Sequence, residues 1–548
     1  MKLKNYYHTL KYLKISQIYY RIQKRFSHPT VNKVCCGQSD ISGNWISHGL
    51  YEQKLFLENC VRFLNADGCI SSVSDWNDPA KAKLWLYNLH YFDDLNAIDA
   101  DSRTGLHIEL IDRWISENPA PLGNGWEPYP TSLRIVNWVK AFLSGLPVEQ
   151  NRLDSLATQA DYLSQDLEQH ILGNHLFVNA KALIFAGCYL EGKDSDSWLK
   201  TGLSIYSKEL DEQVLPDGGN FELTPMYHVI MLVDLLDLFN LFTVYSHKVN
   251  PGLLIKTKEV AIKMLHWMQV MSHSDGEISF FNDSTFSIAP KNAVVFEYAA
   301  KLGIIPSELN ALLPDGVQLY DLIDSGYVSA KTSEYSLIAD LSAVGPDYIP
   351  GHGHADTLSF EFALKGQRIF VNSGISEYGL SDERLRQRGT AAHNTVIVNG
   401  LDSSVVWSGF RVAQRARINH RVIEQVKNKV GFSASHNGFK QQGINCIHQR
   451  SWSLNSKEIR IIDKLKGEFN TAIASLHLHP DVVVETIDDD KVVLSAVGFM
   501  IVLRFSGASI LLEDTSWHPE FGVSLPSKKL CCKFLGSLMT VDISWSRS

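Results

Sequence analysis

Four stretches of this 548-residue chain gather side chains that move protons or hold metal ions. The densest is Gly351-His352-Gly353-His354-Ala355-Asp356. Two imidazoles and a carboxylate so close together suit proton transfer or metal ligation. The alternation of apolar and polar residues over 357–362 predicts a half-buried strand directly after them. If the extended backbone begins at the glycines, His352, His354 and Asp356 share one face, because side chains repeat every second residue. Gly351 and Gly353 would let a ligand or another backbone come close. Asn372 follows an expected strand at 368–371, and His393 precedes one at 395–398. His354, His393 and an oxygen donor make a plausible zinc set. Between them the basic run 384–388, with Arg384, Arg386 and Arg388, reads as a loop. It would meet an anionic polymer or remain a solvated charge run.

The other three stretches lie earlier. Asn174 reads as a helix N-cap, which puts His175 in a first turn, where the positive end of the helix dipole favours the neutral imidazole. Thr224-Pro225 is a helix start, with Tyr227 in its first turn, where the same dipole lowers a phenol pKa. In 124–134, Trp126 and Tyr129 could stack on sugar rings and Arg134 could pair with a carboxylate. Pro128 and Pro130 predict that the helix there begins only at Thr131, with Thr131 or Ser132 as cap. Each stretch also has a purely structural reading, as a capped loop, a packed aromatic or a hydrogen-bonded histidine.

The elements that must carry these residues change character along the chain. Residues 1–75 form an arm that opens with an amphipathic helix ending near Arg25, before Ser27-His28-Pro29. Over 76–330 the stretches 161–169, 176–190, 198–215, 226–243 and 260–271 repeat apolar residues every three or four positions, with short linkers between. Serial helices on short connections pack antiparallel, and helical hairpins could close into a ring. Over 331–548, short alternating runs bounded by turn residues predict an antiparallel β-sandwich. The cleft between the halves is the natural place for a site.

Composition narrows the function. The chain is 45% hydrophobic and 20% charged, as in an ordinary globular protein, and its 12 Trp suit either a large core or a sugar-binding cleft. A net charge of −9 argues against a nucleic-acid binder, though not against an anionic polymer met by local basic patches. The eight Cys form no CxxC, which predicts buried free thiols. The first residues lack the apolar run of a secretory signal, and no stretch approaches about 18 consecutive apolar residues. A cytoplasmic location is therefore expected. Lys11, Lys14, Arg21, Lys24 and Arg25 at the basic start leave a peripheral membrane contact as the lesser reading.

Taken together, the stretches resemble the heparinase II/III-like superfamily of polysaccharide-modifying enzymes. The resemblance rests on 351–356 with Ala392-His393-Asn394-Thr395, supported in order and spacing by Asn174-His175 and Pro225-Met226-Tyr227. It implies an incomplete α/α toroid followed by an antiparallel β-sandwich, and chemistry that begins by removing the C5 proton of a uronic acid. Asn174 would neutralise the C6 carboxylate, His175 and Tyr227 would be acid and base on opposite faces of the sugar, and His352 would assist. His354 and His393 match metal ligands, with zinc or a similar divalent ion expected. Asn372 stands where the family has Asp, and Asp356 is a substitute oxygen donor. The same carbanion leads to chain cleavage or to C5 inversion. With no export signal, the preferred expectation is a glucuronyl C5-epimerase acting on a heparosan-like glycosaminoglycan; the alternative is a heparinase-like lyase. A non-catalytic polysaccharide-binding protein is the reading from another class, and Asn174, His175, Tyr227 and His352 together count against it.

Overall fold

A computed structural model of the chain describes residues 2–309, 316–426 and 429–547. It opens with two short helices, α1 (Lys2–Leu10) and α2 (Ile15–Phe26). Nine further helices follow among the described residues: α3 (Lys83–Tyr91), α4 (Thr104–Glu117), α5 (Pro128–Leu143), α6 (Gln150–Gln165), α7 (Gly173–Tyr189), α8 (Lys193–Gln213), α9 (Pro225–Val244), α10 (Pro251–Val270) and α11 (Asn292–Lys301). Neighbours in sequence pack on each other, α7 on α8 and α9 on α10, while α5 and α9 both lie against α7. This is the antiparallel hairpin packing that short linkers impose.

α9 is long and apolar enough to cross a membrane, but 83% of its most apolar window is buried inside the protein. A helix that is apolar on all sides belongs in a core. Helix boundaries differ from expectation at α5 and α6, among others. α5 begins at Pro128, with both prolines in its first turn, where a missing N–H costs no intrahelical bond. α6 stops at Gln165, which leaves Glu168 in the turn that follows.

The sheet half starts at Gln318, ahead of residue 331. β1 (Gln318–Leu322), β2 (Tyr327–Lys331), β3 (Tyr335–Asp340), β4 (Phe360–Leu364) and β5 (Gln367–Phe370) form an antiparallel meander in that order. An eight-stranded and a four-stranded antiparallel sheet follow. All three contribute to one apolar core, through residues such as Phe362, Val396 and Trp452.

Residues 351–357 are not a strand. Ser359 N–H donates to the Asp356 carbonyl at 2.8 Å, Leu358 takes a φ of 64°, and the regular ladder begins only at Phe360. The shared face expected for His352, His354 and Asp356 is therefore absent. The basic run is a helix, α12 (Asp382–Arg388), capped by the Ser381 hydroxyl, which accepts from Arg384 N–H at 3.0 Å. Buried ties join the halves. His273 Nε2 lies 3.0 Å from Glu361, and Arg368 Nε lies 2.7 Å from Asp275.

Candidate active site

Two core helices each open at one end. Every residue of α7 is buried except Asn174 and His175, and α9 is buried except Tyr227, Ile230 and Thr243. Asn174, His175, Tyr227 and Ile230 all line one cleft of about 950 Å³. α7 starts at Gly173, not at an Asn174 cap. Gly173 has a φ of 57°, and a Cβ there would stand 2.8 Å from Ile349 Cδ1 and 3.1 Å from Glu222 Oε1. Only glycine lets the sheet half and Glu222 approach so closely. Asn174 thus turns its amide outward, and its Nδ2 donates to the Tyr129 hydroxyl at 3.0 Å. α9 starts as its sequence predicts, with the Thr224 hydroxyl accepting from Tyr227 N–H at 3.0 Å.

His175 has a partner that sequence spacing does not announce. Glu168 Oε1 lies 2.9 Å from His175 Nδ1, and Asn179 holds Glu168 from both sides, donating to Oε2 at 3.1 Å and accepting from Glu168 N–H at 2.8 Å. This fixes the ring and leaves Nε2 for the cleft, where His175 is 37% exposed. Burial disfavours charge on the imidazole, but the Glu168 carboxylate outweighs it and raises the pKa above the ordinary histidine value. The downward pull on the pKa expected from the helix dipole is thereby outweighed. Tyr227 also departs from expectation. Burial, with Tyr129, Asp283 and Glu222 nearby, pushes its phenol well above its usual pKa, so it is a protonated hydroxyl at neutral pH.

The sheet half supplies His352, whose ring lies 4.0 Å from that of Tyr227. Its Nδ1 is 2.8 Å from Asp283 Oδ2, and its Nε2 is 3.6 Å from Glu222 Oε2. Asp283, from the segment between α10 and α11, is the centre of this side. It also accepts from His354 Nε2 at 2.8 Å and from both terminal nitrogens of Arg384, one of them at 2.7 Å. Burial opposes its charge, yet Arg384 and the two imidazoles hold Asp283 well below the usual carboxylate range. Tyr378 completes the wall, its hydroxyl 3.2 Å from that of Tyr227. Glu168, Glu222, Asp283 and Tyr378 carry no signal as site residues in the sequence, and Arg384 enters there only as part of the basic run. Arg384 comes from α12 and the others from four separate loops or turns, and no local spacing links them to their partners.

Three expected substrate contacts lie elsewhere. Trp126 is buried, donates from Nε1 to the Asn118 carbonyl at 3.0 Å, and packs on Trp114 and Tyr162. Arg134 is fully buried, with Nε donating to Gln159 at 2.8 Å and its guanidinium 3.8 Å from the Trp114 ring centre. Arg388 is fully buried too, donating to the Gly353 carbonyl at 2.7 Å and the Gly409 carbonyl at 2.6 Å. It clamps the histidine segment in place and does not face the cleft. Tyr129 does line the cleft, with its ring 4.6 Å from that of His175.

The expected metal set runs in a row. His354 Nδ1 faces His393 Nε2 at 3.3 Å, while Asn372 Oδ1 sits on the other ring nitrogen, His393 Nδ1, at 3.2 Å. Asn372 Nδ2 is occupied by the Phe280 carbonyl at 2.8 Å. The two facing nitrogens have the spacing of neighbouring ligands around one tetrahedral ion, with bonds of about 2.0–2.1 Å. The amide oxygen, however, cannot reach a point between them. Among the described residues no group of three His, Cys, Asp or Glu surrounds a common point. His354, Asn372 and His393 therefore do not fit a three-ligand zinc site as a set, and no step is derived through a metal. Asp356 is no substitute: its carboxylate accepts from Asn282 N–H at 3.1 Å, and burial pushes its pKa up to about 6.

A family model described as heparinase II/III N-terminus matches residues 4–310, and one described as heparinase II/III-like, C-terminal, matches residues 316–546. The chain belongs to the heparinase II/III family. Among curated relatives, a heparin-sulfate lyase of Pedobacter heparinus is 27% identical over 346 residues, covering 60% of this chain and 48% of the relative. One from Bacteroides stercoris is 26% identical, over 50% of this chain and 43% of its own. This heparinase-family chain spans about half the length of the curated relatives it matches. Two solved structures share its fold. A heparinase III is 18% identical with a TM-score of 0.68, over 89% of this chain and 80% of that one. A mutant heparan sulfate lyase from Pedobacter heparinus is 19% identical with a TM-score of 0.61, over 97% and 88%. The family fold is the helical toroid followed by antiparallel sheets.

Proposed function

We propose that this heparinase-family chain is a lyase that cleaves a uronate-containing anionic polysaccharide by β-elimination. The observation that carries the reading is the convergence of Asn174, His175, Tyr227 and His352 on one cleft, with each imidazole oriented by a carboxylate. Asn174 donates to the C6 carboxylate and stabilises the enediolate-like charge that forms when C5 loses its proton. His175 Nε2 takes that proton from its neutral state, with Nδ1 held by Glu168. The C4–O4 bond then breaks as the C4=C5 double bond forms, and O4 takes the proton of the Tyr227 hydroxyl. Tyr378, in contact with that hydroxyl, is placed to return a proton to it. His352 stays beside Tyr227 as a further donor to the developing charge.

Relatives named as lyases favour elimination over the C5 inversion preferred from sequence. The test is incubation with heparosan-like and related uronate polymers in heavy water. Elimination gives an unsaturated uronate and falling chain length. C5 deuteration without shortening would make the protein an epimerase. No change in any polymer would leave a binding protein.

A further inference from the structure

The first two helices are built inside out. On α2, Ile15, Ile18, Tyr19, Ile22 and Phe26 fall on one stripe at helical spacing, and all five are exposed, Ile15 by 85% and Phe26 by 78%. The buried position is polar. Gln17 donates from Nε2 to the carbonyls of Tyr348 at 3.3 Å and Ile171 at 3.5 Å. α1 repeats the pattern. Leu3, Tyr7 and Leu10 are exposed at the same spacing, while the Thr9 hydroxyl accepts from Trp407 Nε1 at 3.2 Å and the Tyr6 ring meets Trp407 edge-on with ring centres 4.9 Å apart.

A helix packing on a protein ordinarily buries its apolar stripe. Here Gln17, Thr9 and the Tyr6 ring make the attachment, and the stripe of isoleucine, leucine, tyrosine and phenylalanine faces outward, a surface that water disfavours. Cations flank it. Lys14 and Lys24 are tied to the body through Glu212 and Asp166, but Lys4, Arg21 and Arg25 form no ion pair among the described residues. Free cations beside an outward apolar stripe match a surface that is negative at its headgroups and apolar beneath them.

We propose that α1 and α2 form an interfacial anchor that lies in the surface of an anionic lipid bilayer. Ile15, Ile18, Ile22 and Phe26 enter the acyl boundary, while Lys4, Arg21 and Arg25 meet the headgroups. Gln17 attaches α2 two residues before Gly173, so the anchor holds the cleft of Asn174 and His175 close to the membrane plane. The inference is independent of the reaction proposed above.

Flotation of the full-length protein tests it, with vesicles of phosphatidylcholine alone and of equal parts phosphatidylcholine and phosphatidylglycerol. The wild type floats with the anionic vesicles and is released by salt. Ile18→Glu and Ile22→Glu each lower partitioning by about tenfold, the effect of keeping one large apolar side chain out of the bilayer. Arg21→Glu with Arg25→Glu removes the preference for anionic lipid. Both sets change exposed side chains, and an unchanged thermal melt shows that the fold is intact. The proposal is overturned if the wild type floats with neither vesicle, or if it floats equally well after the isoleucine changes. It is also overturned if the wild type sediments as a dimer that Ile22→Glu converts to a monomer without any flotation, because a second copy then covers the stripe.

Discussion

At the level of single residues, the site depends on buried carboxylates that set the state of its histidines. Glu168 raises the His175 pKa, so Glu168→Gln lowers it. If neutral His175 takes the C5 proton, the rising limb of kcat/KM against pH moves to lower pH in that variant, and a pH profile with the melt unchanged checks it. The linkage has a definite sign. A histidine raised in the folded state adds stability below its unfolded pKa of about 6.5, and loses that contribution as pH rises through the folded value. Tyr227→Phe keeps the ring against His352 and removes only the hydroxyl, so kcat falls by about 10²–10⁴-fold with little change in melting temperature. An elimination assay beside a thermal melt separates the two effects. Trp126→Ala should do the reverse, costing about 3–5 kcal/mol of stability in a denaturant titration while KM of the remaining folded protein stays the same.

At the level of elements, α12 and the segment between α10 and α11 hold the sheet side of the cleft. Arg384 and Asp283 are both fully buried, and Asp283 also carries His352 and His354. Arg384→Met leaves that carboxylate without its strongest counter-charge. Removing one partner of a buried pair costs about 3–5 kcal/mol. Urea unfolding measures the loss, and reduced kcat in the folded fraction reports the loosened His352. The run 384–388 is a helix and not a solvated loop, with Arg384 and Arg388 turned inward and Arg386 left at the surface beside Glu383. A run of arginines is ordinarily solvated, and only contact with Asp283, Gly353 and Gly409 makes burial favourable. α7 and α9 were far more legible. Their apolar residues surround the whole helix, which is the mark of a core element, and the exceptions Asn174, His175 and Tyr227 stand at their first turns.

At the level of the whole molecule, the cleft exists only where the halves meet, with Asn174, His175 and Tyr227 from the helices and His352 and Tyr378 from the sheet side. His273–Glu361 and Arg368–Asp275 cross that boundary in buried surroundings. The two halves should therefore unfold in one calorimetric transition, and Glu361→Gln should split it into two. The sequence by itself determined the order of helical and sheet halves, the family, and five of the residues that face the cleft, Tyr129, Asn174, His175, Tyr227 and His352. Periodicity and short motifs are local, and helix starts follow from residues adjacent in the chain. Tertiary structure alone decided the partners: Glu168 for His175, Asp283 for His352, the interior for Trp126 and Arg134, and the row of His354, His393 and Asn372 in place of a convergent ligand set. Those outcomes depend on burial and on charges brought together from distant positions, where desolvation and Coulomb attraction outweigh the local propensities that a sequence displays.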